Sequence, residues 1–363
     1  MIVRDGRCVG IRSLRDGRVT DLESSRGVVL AAGGLAGTYE HTTNPAGFNA
    51  LGSGVALALR AGAGVRDLEY VQFHPTALCL PGRPRFLLSE ALRGEGAVLR
   101  DAEGRAFAGE YHPDAELAPR DVVARAVFST LKERDEHNAF LDIRHRPAEW
   151  VRGRFPAIQR HLEEQGLDMA TDLLPVTPAA HYSCGGVETD LRGRTDLPGL
   201  YAAGECARTG LHGGNRLAST SLLEALVFGA EIAEYIGSDE EREANSRALG
   251  LLRGPVAHAP PPDGDHSAIA EKLLRDVKKI MWEDVGLERT VTGTSYAADM
   301  LGDLRTRAED LFRDSPTVEC AMFRDAATSA EAVARAASKN LTSAGTHCIV
   351  DDRTEPEERQ YVH

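Results

Sequence analysis

Residues 27–34 read Gly-Val-Val-Leu-Ala-Ala-Gly-Gly, a short apolar run that ends in a pair of glycines. A continuous apolar run of this length is typical of a buried strand in a parallel sheet, because both faces of such a strand are covered. Glycines that follow the strand allow the backbone to approach a bound molecule closely. The run therefore predicts a buried parallel strand that enters a ligand-contacting turn, with an ordinary strand and turn as the alternative on this motif alone.

A second segment repeats this pattern further along the chain. Residues 197–205 read Leu-Pro-Gly-Leu-Tyr-Ala-Ala-Gly-Glu and predict a strand that ends in Gly-Glu. A long helix is expected from Ser219 to Ile236, with the hydroxyl groups of residues 219–221 as N-cap candidates. Residues 52–59, Gly-Ser-Gly followed by five apolar residues, predict a turn that opens a tightly packed helix. These alternations of strand and helix indicate an α/β unit.

The first residues predict a β-meander. Asp5-Gly6 and Asp16-Gly17 lie between apolar alternations, which is a strong hairpin signal. A lone meander has little to pack against, so we expect a segment to precede it. A GxGxxG fingerprint for a dinucleotide also occurs nowhere in the sequence. A truncated gene product, a wrongly chosen start codon and one half of a split protein are the three explanations that stay open.

The middle and the end of the chain predict two further units. From about Asp67 to Tyr182 short strands, loops and helices alternate, including a helix from Arg120 to Leu131, which indicates an inserted domain. A stiff spacer is expected at Pro255 and at the proline run 260–262. The remainder predicts amphipathic helices. These run from Ala268 through Met281-Trp282, and from Leu301 to about Ser338.

Composition excludes several classes of partner. The 363 residues are 42% hydrophobic and 27% charged, which is typical of a globular protein, and the formal net charge is −13. This charge argues against nucleic acid and anionic membranes, and an anionic substrate would need a local cationic pocket. Six scattered cysteines without a CxxC pair indicate reduced thiols, and no metal site is expected. With no long apolar run and no signal-peptide pattern, the sequence predicts a cytoplasmic protein.

Three segments place polar side chains where functional groups are usually held. Pro75 disfavours helix at His74, so this imidazole is expected in extended or turn backbone. Ser89-Glu90 lies beside a glycine-rich bend. Arg120 begins a helix, although the helix dipole disfavours a cation there, and this makes it a functional candidate. Each segment also has a purely structural interpretation. His74 could be an ordinary core or surface histidine, Ser89-Glu90 could be a solvated helix end, and Arg120 could form an ion pair with Asp121.

Two glycine-paired segments are the most informative. They are His181-Tyr182-Ser183-Cys184-Gly185-Gly186 and residues 210–219, Gly-Leu-His-Gly-Gly-Asn-Arg-Leu-Ala-Ser. The glycines allow the backbone to approach a ligand closely, and neighbouring side chains can donate hydrogen bonds to it. His181 and Arg216 can donate hydrogen bonds to carboxylates, arginine with two at once. The chain then enters a helix, whose N–H groups at Ser221 and Leu222 would suit a developing anion.

Taken in order, these segments resemble the L-aspartate oxidase family of the succinate dehydrogenase/fumarate reductase flavoprotein superfamily. The similarity extends from about Val28 to Arg289. The segments that carry it are Gln72-Phe73-His74-Pro75-Thr76, Glu90-Ala91-Leu92-Arg93-Gly94-Glu95-Gly96, Ala118-Pro119-Arg120-Asp121, residues 178–186 and residues 212–219. Succinate dehydrogenases and fumarate reductases typically have Thr-Met-Gly-Gly where this chain has Ser183-Cys184-Gly185-Gly186, and Ser-Leu-Leu-Asp where it has Ser221-Leu222-Leu223-Glu224. Both differences favour the oxidase.

The resemblance implies roles for individual residues. Arg120 is similar to the family's catalytic arginine, which exchanges a proton at the substrate carbon. Because a guanidinium is effectively always protonated, electrostatic stabilisation is the alternative role. The implied substrate-binding residues are His74, Ser89, Glu90, His181 and Arg216. The implied contacts to the cofactor FAD are Glu205, to a ribitol or ribose hydroxyl, and the backbone of Ser221 and Leu222, to the isoalloxazine ring.

The resemblance also implies a fold and an activity. The fold class is α/β plus α: a partial Rossmann-like FAD-binding domain (residues 1–67 and 183–252), an inserted α+β capping domain (68–182) and a C-terminal helical domain (253–363). The implied reaction is FAD-dependent oxidation of L-aspartate to iminoaspartate, with dioxygen or fumarate as acceptor and hand-off to quinolinate synthase toward NAD. A fumarate reductase type subunit and an inactive flavin-free fragment are the alternatives. Ser53, where the family usually has aspartate, and Ser89, where it usually has threonine, depart from the pattern.

Overall fold

The computed structural model describes residues 1–15, 18–44, 50–238, 243–245, 247 and 266–351. The expected turn at Asp16-Gly17 and the expected proline spacer at 255–262 lie outside these residues. Within the described part, no helix is both long and apolar enough to cross a membrane.

The strands and helices follow in chain order. The strands are β1 (Ile2–Arg4), β2 (Arg7–Arg15), β3 (Arg18–Glu23), β4 (Val28–Leu30), β5 (Val65–Arg66), β6 (Val71–Leu78), β7 (Phe86–Leu87), β8 (Val98–Arg100), β9 (Ala139–Asp142), β10 (Leu174–Ser183), β11 (Gly186–Glu188), β12 (Leu200–Ala202) and β13 (Ala207–Arg208). The α-helices are α1 (Ser53–Ala61), α2 (Glu90–Gly94), α3 (Ala108–Tyr111), α4 (Arg120–Arg134), α5 (Ala148–Arg154), α6 (Pro156–Glu163), α7 (Thr220–Ile236), α8 (Ser267–Asp284), α9 (Val291–Asp314) and α10 (Val318–Lys339). Short 3-10 turns occur at Ala36–Thr38, Ala115–Leu117 and Gly204–Cys206.

The N-terminal meander is confirmed. Strands β1, β2 and β3 form an antiparallel sheet in that order. At the first turn Asp5 and Gly6 both have positive φ, 49° and 72°. Two such residues form the tight turn whose twist matches that of a hairpin.

The parallel strand predicted at residues 27–34 is confirmed, whereas its complete burial is wrong. Strand β4 pairs in parallel with β12, and Val28 lies opposite Leu200. Val29 is 43% exposed, although Leu30 is buried. The sheet has two strands in the described part of the chain, so β4 lies at an edge and one of its faces has little cover.

A five-stranded antiparallel sheet lies between these two parallel strands in sequence, in the order β7-β6-β10-β9-β8. Helix α4 packs against it through an apolar face, and the helix expected from Arg120 is confirmed. Its buried members are Val123, Ala126, Val127 and Leu131. The pairing of β6 with β10 places His74 opposite Ala179 and Phe73 opposite Ala180. The two histidine-bearing strands are therefore neighbours.

The C-terminal helices α8, α9 and α10 pack on one another and on the rest of the chain. The amphipathic helices expected from Leu301 to about Ser338 are present as two helices, since α9 begins at Val291 and ends at Asp314, and α10 begins at Val318. Pro316 lacks the N–H that a continuous helix needs there. Thr317 caps the new helix by accepting a hydrogen bond from the N–H of Cys320, at 3.2 Å. One buried apolar cluster joins these helices to the region of α1 and β6.

Candidate active site

Two imidazoles from neighbouring strands form the centre of the candidate site. The rings of His74 on β6 and His181 on β10 meet edge to face, with centroids 5.4 Å apart. Burial lowers the pKa of both, that of His74 well below its ordinary value and that of His181 to about 4. The charges of Arg120 and Arg216 lower both pKa values further. Both rings are therefore neutral at pH 7, and each can donate one hydrogen bond.

Arg120, the first residue of α4, is buried and held by two partners. Its Nε donates to Glu90 Oε2 at 3.1 Å, and its Nη2 donates to the same oxygen. Its Nη1 donates to Gln72 Oε1 at 2.9 Å. The alternative ion pair with Asp121 does not occur, since Asp121 pairs with Arg125 at 2.8 Å. A cation at the N-terminus of a helix is disfavoured by the helix dipole. Here the carboxylate of Glu90, which lies on α2, offsets this unfavourable interaction by pairing with Arg120.

Glu90 keeps its negative charge in this setting. Burial raises the pKa of its carboxyl, but the hydrogen bonds and charge of Arg120 outweigh burial, and the net pKa lies below the ordinary value. Ser89 is the N-cap of α2, and its Oγ accepts from the N–H of Ala91 at 3.3 Å. In the described contacts Ser89 therefore positions the helix that carries Glu90, and no hydrogen bond joins it to the two histidines.

Gln72 belongs to the site and was missed among the sequence candidates. It is fully buried. Besides accepting from Arg120, it donates through Nε2 to Asn215 Oδ1 at 2.7 Å and to the carbonyl oxygen of Arg216 at 2.8 Å. Gln72 precedes His74 by two residues on a strand, and such residues point to the same face. That spacing is the signal that could have identified it.

Arg216 lies in the loop before α7 and is held without a carboxylate. Its Nη2 donates to Ser221 Oγ at 2.6 Å, and its guanidinium lies over the ring of Tyr182, 4.5 Å from the centroid. Its Nε is buried and has no hydrogen-bond partner among the residues that the structure describes. Burial, followed by the charge of Arg120, lowers its pKa. A cation held in this way can accept the carboxylate of a ligand.

The hydroxyl of Tyr182 contacts a buried polar cluster, formed by His212, Glu224 and Thr209, that the sequence analysis also missed. Its hydroxyl lies 3.0 Å from His212 Nε2, and the same nitrogen lies 2.7 Å from Glu224 Oε2. Thr209 donates to the other oxygen of Glu224. The first three of these residues are each less than 10% exposed. The sequence signal was Glu224 itself, a carboxylate within an otherwise apolar stretch of helix.

Thr43 is a further residue that the motifs did not indicate. Its Oγ1 lies 2.8 Å from His181 Nδ1, which fixes the orientation of the imidazole. No pattern in the sequence around Thr43 distinguishes it from an ordinary loop threonine, so only the structure reveals this contact.

The predicted cofactor residues lie beside the two glycine-ended strands. The N–H of Ser183 donates to Glu205 Oε1 at 3.0 Å. At Gly34 a Cβ would come 2.1 Å from that oxygen, so a larger residue there would displace the carboxylate of Glu205 from its present position. Burial raises the pKa of Glu205. The arrangement offers a carboxylate beside a bare backbone turn, which suits a ligand that carries hydroxyl groups.

The N-terminus of α7 is open, which corrects the expected capping. Ser219 has φ +67°, and its side chain makes no capping hydrogen bond. A capping side chain requires extended backbone at this position. Ser221 instead accepts from Arg216, and Leu222 is 74% exposed. The first-turn N–H groups therefore lack a side-chain cap, and they can serve a partially negative group.

Comparisons with known proteins identify the family of the chain. A family model described as an FAD binding domain matches residues 1–222. The L-aspartate oxidase of Nostoc sp. is 46% identical over 80% of this chain and 50% of its own length. That of Caulobacter vibrioides is 41% identical over 96% of this chain and 62% of its own. The chain thus spans about half to three-fifths of the length of these relatives.

Solved structures of related proteins share the fold. A mutated E. coli quinol fumarate reductase FrdA superposes with a TM-score of 0.79 at 29% identity, covering 98% of this chain and 66% of that one. Mycobacterium smegmatis Sdh1 gives 0.70 at 30% identity, covering 96% and 60%. These neighbours confirm the α/β plus α fold class. The matched family model covers more than half of the chain, which therefore belongs to the FAD binding domain family and is similar to the L-aspartate oxidases.

Proposed function

We propose that this protein takes part in the FAD-dependent oxidation of L-aspartate to iminoaspartate, with dioxygen, which yields hydrogen peroxide, or fumarate as the acceptor. The observation that carries the proposal is the convergence of His74, His181, Arg120 and Arg216 from separate elements. Relatives named L-aspartate oxidase at 38% to 50% identity support the choice of substrate.

The charges of the site suit a C4 dicarboxylate. Arg216 has no carboxylate partner in the described contacts, so its guanidinium would bind one substrate carboxylate with two hydrogen bonds. His74 and His181 are neutral at pH 7, and they would donate to the second carboxylate without adding charge. The site thus provides a local cationic pocket in a chain whose formal net charge is −13.

Arg120 is the proposed catalytic cation. Glu90 and Gln72 hold its guanidinium from two sides, which fixes its orientation toward the imidazoles. Since a guanidinium keeps its proton at neutral pH, Arg120 would act electrostatically, on the negative charge of the substrate carboxylates, rather than abstract a proton. Ser89 contributes by capping the helix that carries Glu90.

When bound, FAD, the cofactor of this family, would supply the acceptor for a hydride from the substrate Cα. Glu205 would hold one of its hydroxyl groups next to Gly34, and the N–H groups of Ser221 and Leu222 would face the ring carbonyl edge. The chain's own contribution is to hold the substrate carbon in a reactive position and to provide the cations around it.

A subunit of the fumarate reductase type is the second candidate, because the structural neighbours belong to that class. Such a subunit would pass electrons to an iron–sulfur partner. The curated relatives favour the oxidase, and we propose hand-off of iminoaspartate to quinolinate synthase in the cytoplasm. The six cysteines are all free thiols, which fits a reducing compartment.

Three measurements on the protein mixed with FAD separate these functions. Flavin absorbance that stays with the protein, together with peroxide release from L-aspartate and none from succinate, is the expected result. Oxidation of succinate coupled to a co-purifying iron–sulfur protein would support the reductase instead. A protein that takes up no FAD would be a flavin-free fragment.

Arg216→Ala tests the substrate-binding role directly. We expect KM for L-aspartate to rise by about 30-fold or more, since a hydrogen bond to a charged group contributes roughly 1.5–3 kcal/mol. Arg192→Ala removes an exposed arginine outside the site and serves as the matched control. An unchanged KM in an active Arg216→Ala protein would contradict the assignment.

A further inference from the structure

A second polar cavity lies outside the candidate active site. Its volume is about 670 Å³, and it is bounded by residues 40–42 and 44, by the loop at residues 79–85, by residues 137–138 and by Lys278 on α8. None of the residues proposed above to bind substrate or cofactor lines it. We call this cavity the basic groove.

The charged side chains of the basic groove are almost all cationic. Arg83, Arg85 and Lys278 line it together with two histidines, His41 and His137, and the single acidic lining residue is Glu40. Across the ranges that the structure describes, neither arginine nor the lysine forms an ion pair. Arg85 Nε is buried and has no hydrogen-bond partner in the same ranges. A groove lined by three cations and one carboxylate is unusual in a chain with a formal net charge of −13.

Two of the three cations, Arg85 and Lys278, are partly buried, whereas Arg83 is exposed. Burial lowers the pKa of Lys278. Burial, followed by the charge of Arg85, lowers the pKa of His41 to about 4. Removing charge from water without a counter-ion is unfavourable, so an anion that entered the groove would gain the attraction of several fixed charges. The groove is therefore better stabilised with an anion than without one.

We propose that the basic groove binds a small anion with at least two negative charges, of the pyrophosphate or nucleotide phosphate class. Arginine matches phosphate oxygens with paired donors, and lysine serves as a point charge. Thr42, Asn44 and Asn138 also line the groove and supply uncharged hydrogen-bonding groups. Its volume suits an organic ligand as well as an inorganic ion.

The basic groove and the candidate active site lie on opposite sides of one segment. Thr42 and Asn44 face the groove, whereas Thr43 between them contacts His181. An anion in the groove is therefore a separate occupant from the proposed dicarboxylate substrate. The inference does not depend on the proposed oxidase activity and can be tested on flavin-free protein.

Calorimetric titration with sodium pyrophosphate, at constant ionic strength, tests whether the site exists. We expect saturable binding, and its absence overturns the proposal. Succinate, titrated in the same way, tests the class of ligand. The proposal of a phosphate site would be refuted if succinate bound as tightly as pyrophosphate and if its binding depended equally on Arg85. Arg85→Gln and Lys278→Gln should each weaken pyrophosphate binding by about ten-fold or more.

Matched variants and a local probe show where the anion binds. Lys272→Gln and Arg275→Gln remove exposed cations of the same helix that do not line the groove, and affinity should be retained. The ring of His41 packs against Trp282 at 4.5 Å, and Trp150→Phe leaves Trp282 as the sole indole. Its fluorescence should change with the same saturation curve. If the control variants lost affinity for pyrophosphate as much as Arg85→Gln and Lys278→Gln, the proposed location would be overturned. Circular dichroism shows whether each variant is folded.

Discussion

Acidification should destabilise the protein through His181. Burial, followed by the charges of Arg120 and Arg216, lowers the pKa of this imidazole from 6.5 to about 4. Below pH 6.5 the imidazole of His181 is protonated in the unfolded chain, whereas in the folded protein it stays neutral until the pH approaches 4. The stabilisation is therefore fully present above pH 6.5, and it is lost as the pH falls through the folded-state pKa.

The magnitude follows from proton linkage. Between pH 7 and pH 5 the difference between the two pKa values removes about 2 kcal/mol from the free energy of unfolding. His74 has a lowered pKa as well, because of burial, and adds to the loss in the same direction. His181 is largely buried, so solvent screening reduces this figure little.

Urea unfolding at pH 7 and pH 5 measures the effect in the protein and in His181→Asn. The variant should lose about 2 kcal/mol less than the unchanged protein between these pH values. His145→Asn, which removes an exposed imidazole, is the control and should lose the same as the unchanged protein. An identical pH dependence in His181→Asn, or a histidine NMR titration that places His181 near 6.5, would refute the reasoning.

Three further substitutions test packing around the site. Phe323→Ala empties a fully buried position of the main core and should cost about 3–5 kcal/mol in urea unfolding, whereas a loss under about 1 kcal/mol would contradict the packing. Gly185→Ala should lower Tm, since its Cβ would lie 2.0 Å from the carbonyl oxygen of Asp67; Gly109→Ala has open space and should not. Tyr182→Phe keeps the aromatic platform and should raise KM for L-aspartate less than Tyr182→Leu, with equal effects counting against the platform role.

Local patterns were sufficient for much of the fold. The helix that begins at Arg120 and the strand that carries His74 follow from apolar spacing and from the effect of Pro75 on its neighbour. The parallel pairing of residues 28–30 was also indicated by composition alone. The exposure of Val29 was not predicted, because burial depends on which other elements cover a strand.

The candidate site was only partly predictable for a similar reason. His181 and Arg216 could be named from their glycine-rich surroundings, but the side chains that orient them could not. Gln72 contacts Arg120 and the loop at residues 215–216, which are distant in sequence. Such partners are set by the packing of separate elements, and a single sequence carries no record of that packing. The boundary between α9 and α10, in contrast, has a local cause, because Pro316 lacks the N–H that a continuous helix needs.

The pairing of β4 with β12 has a consequence for how the protein is made. During synthesis β4 leaves the ribosome long before β12, so β4 remains unpaired until β12 has been made. The five-stranded sheet lies wholly between them in sequence and can form first, which brings the ends of a long loop together before the parallel strands join. Gly34 and Glu205, which follow these two strands, would then be among the last groups to meet. The slowest step of refolding should therefore be the assembly of the cofactor region, and its yield should depend on prior folding of the sheet.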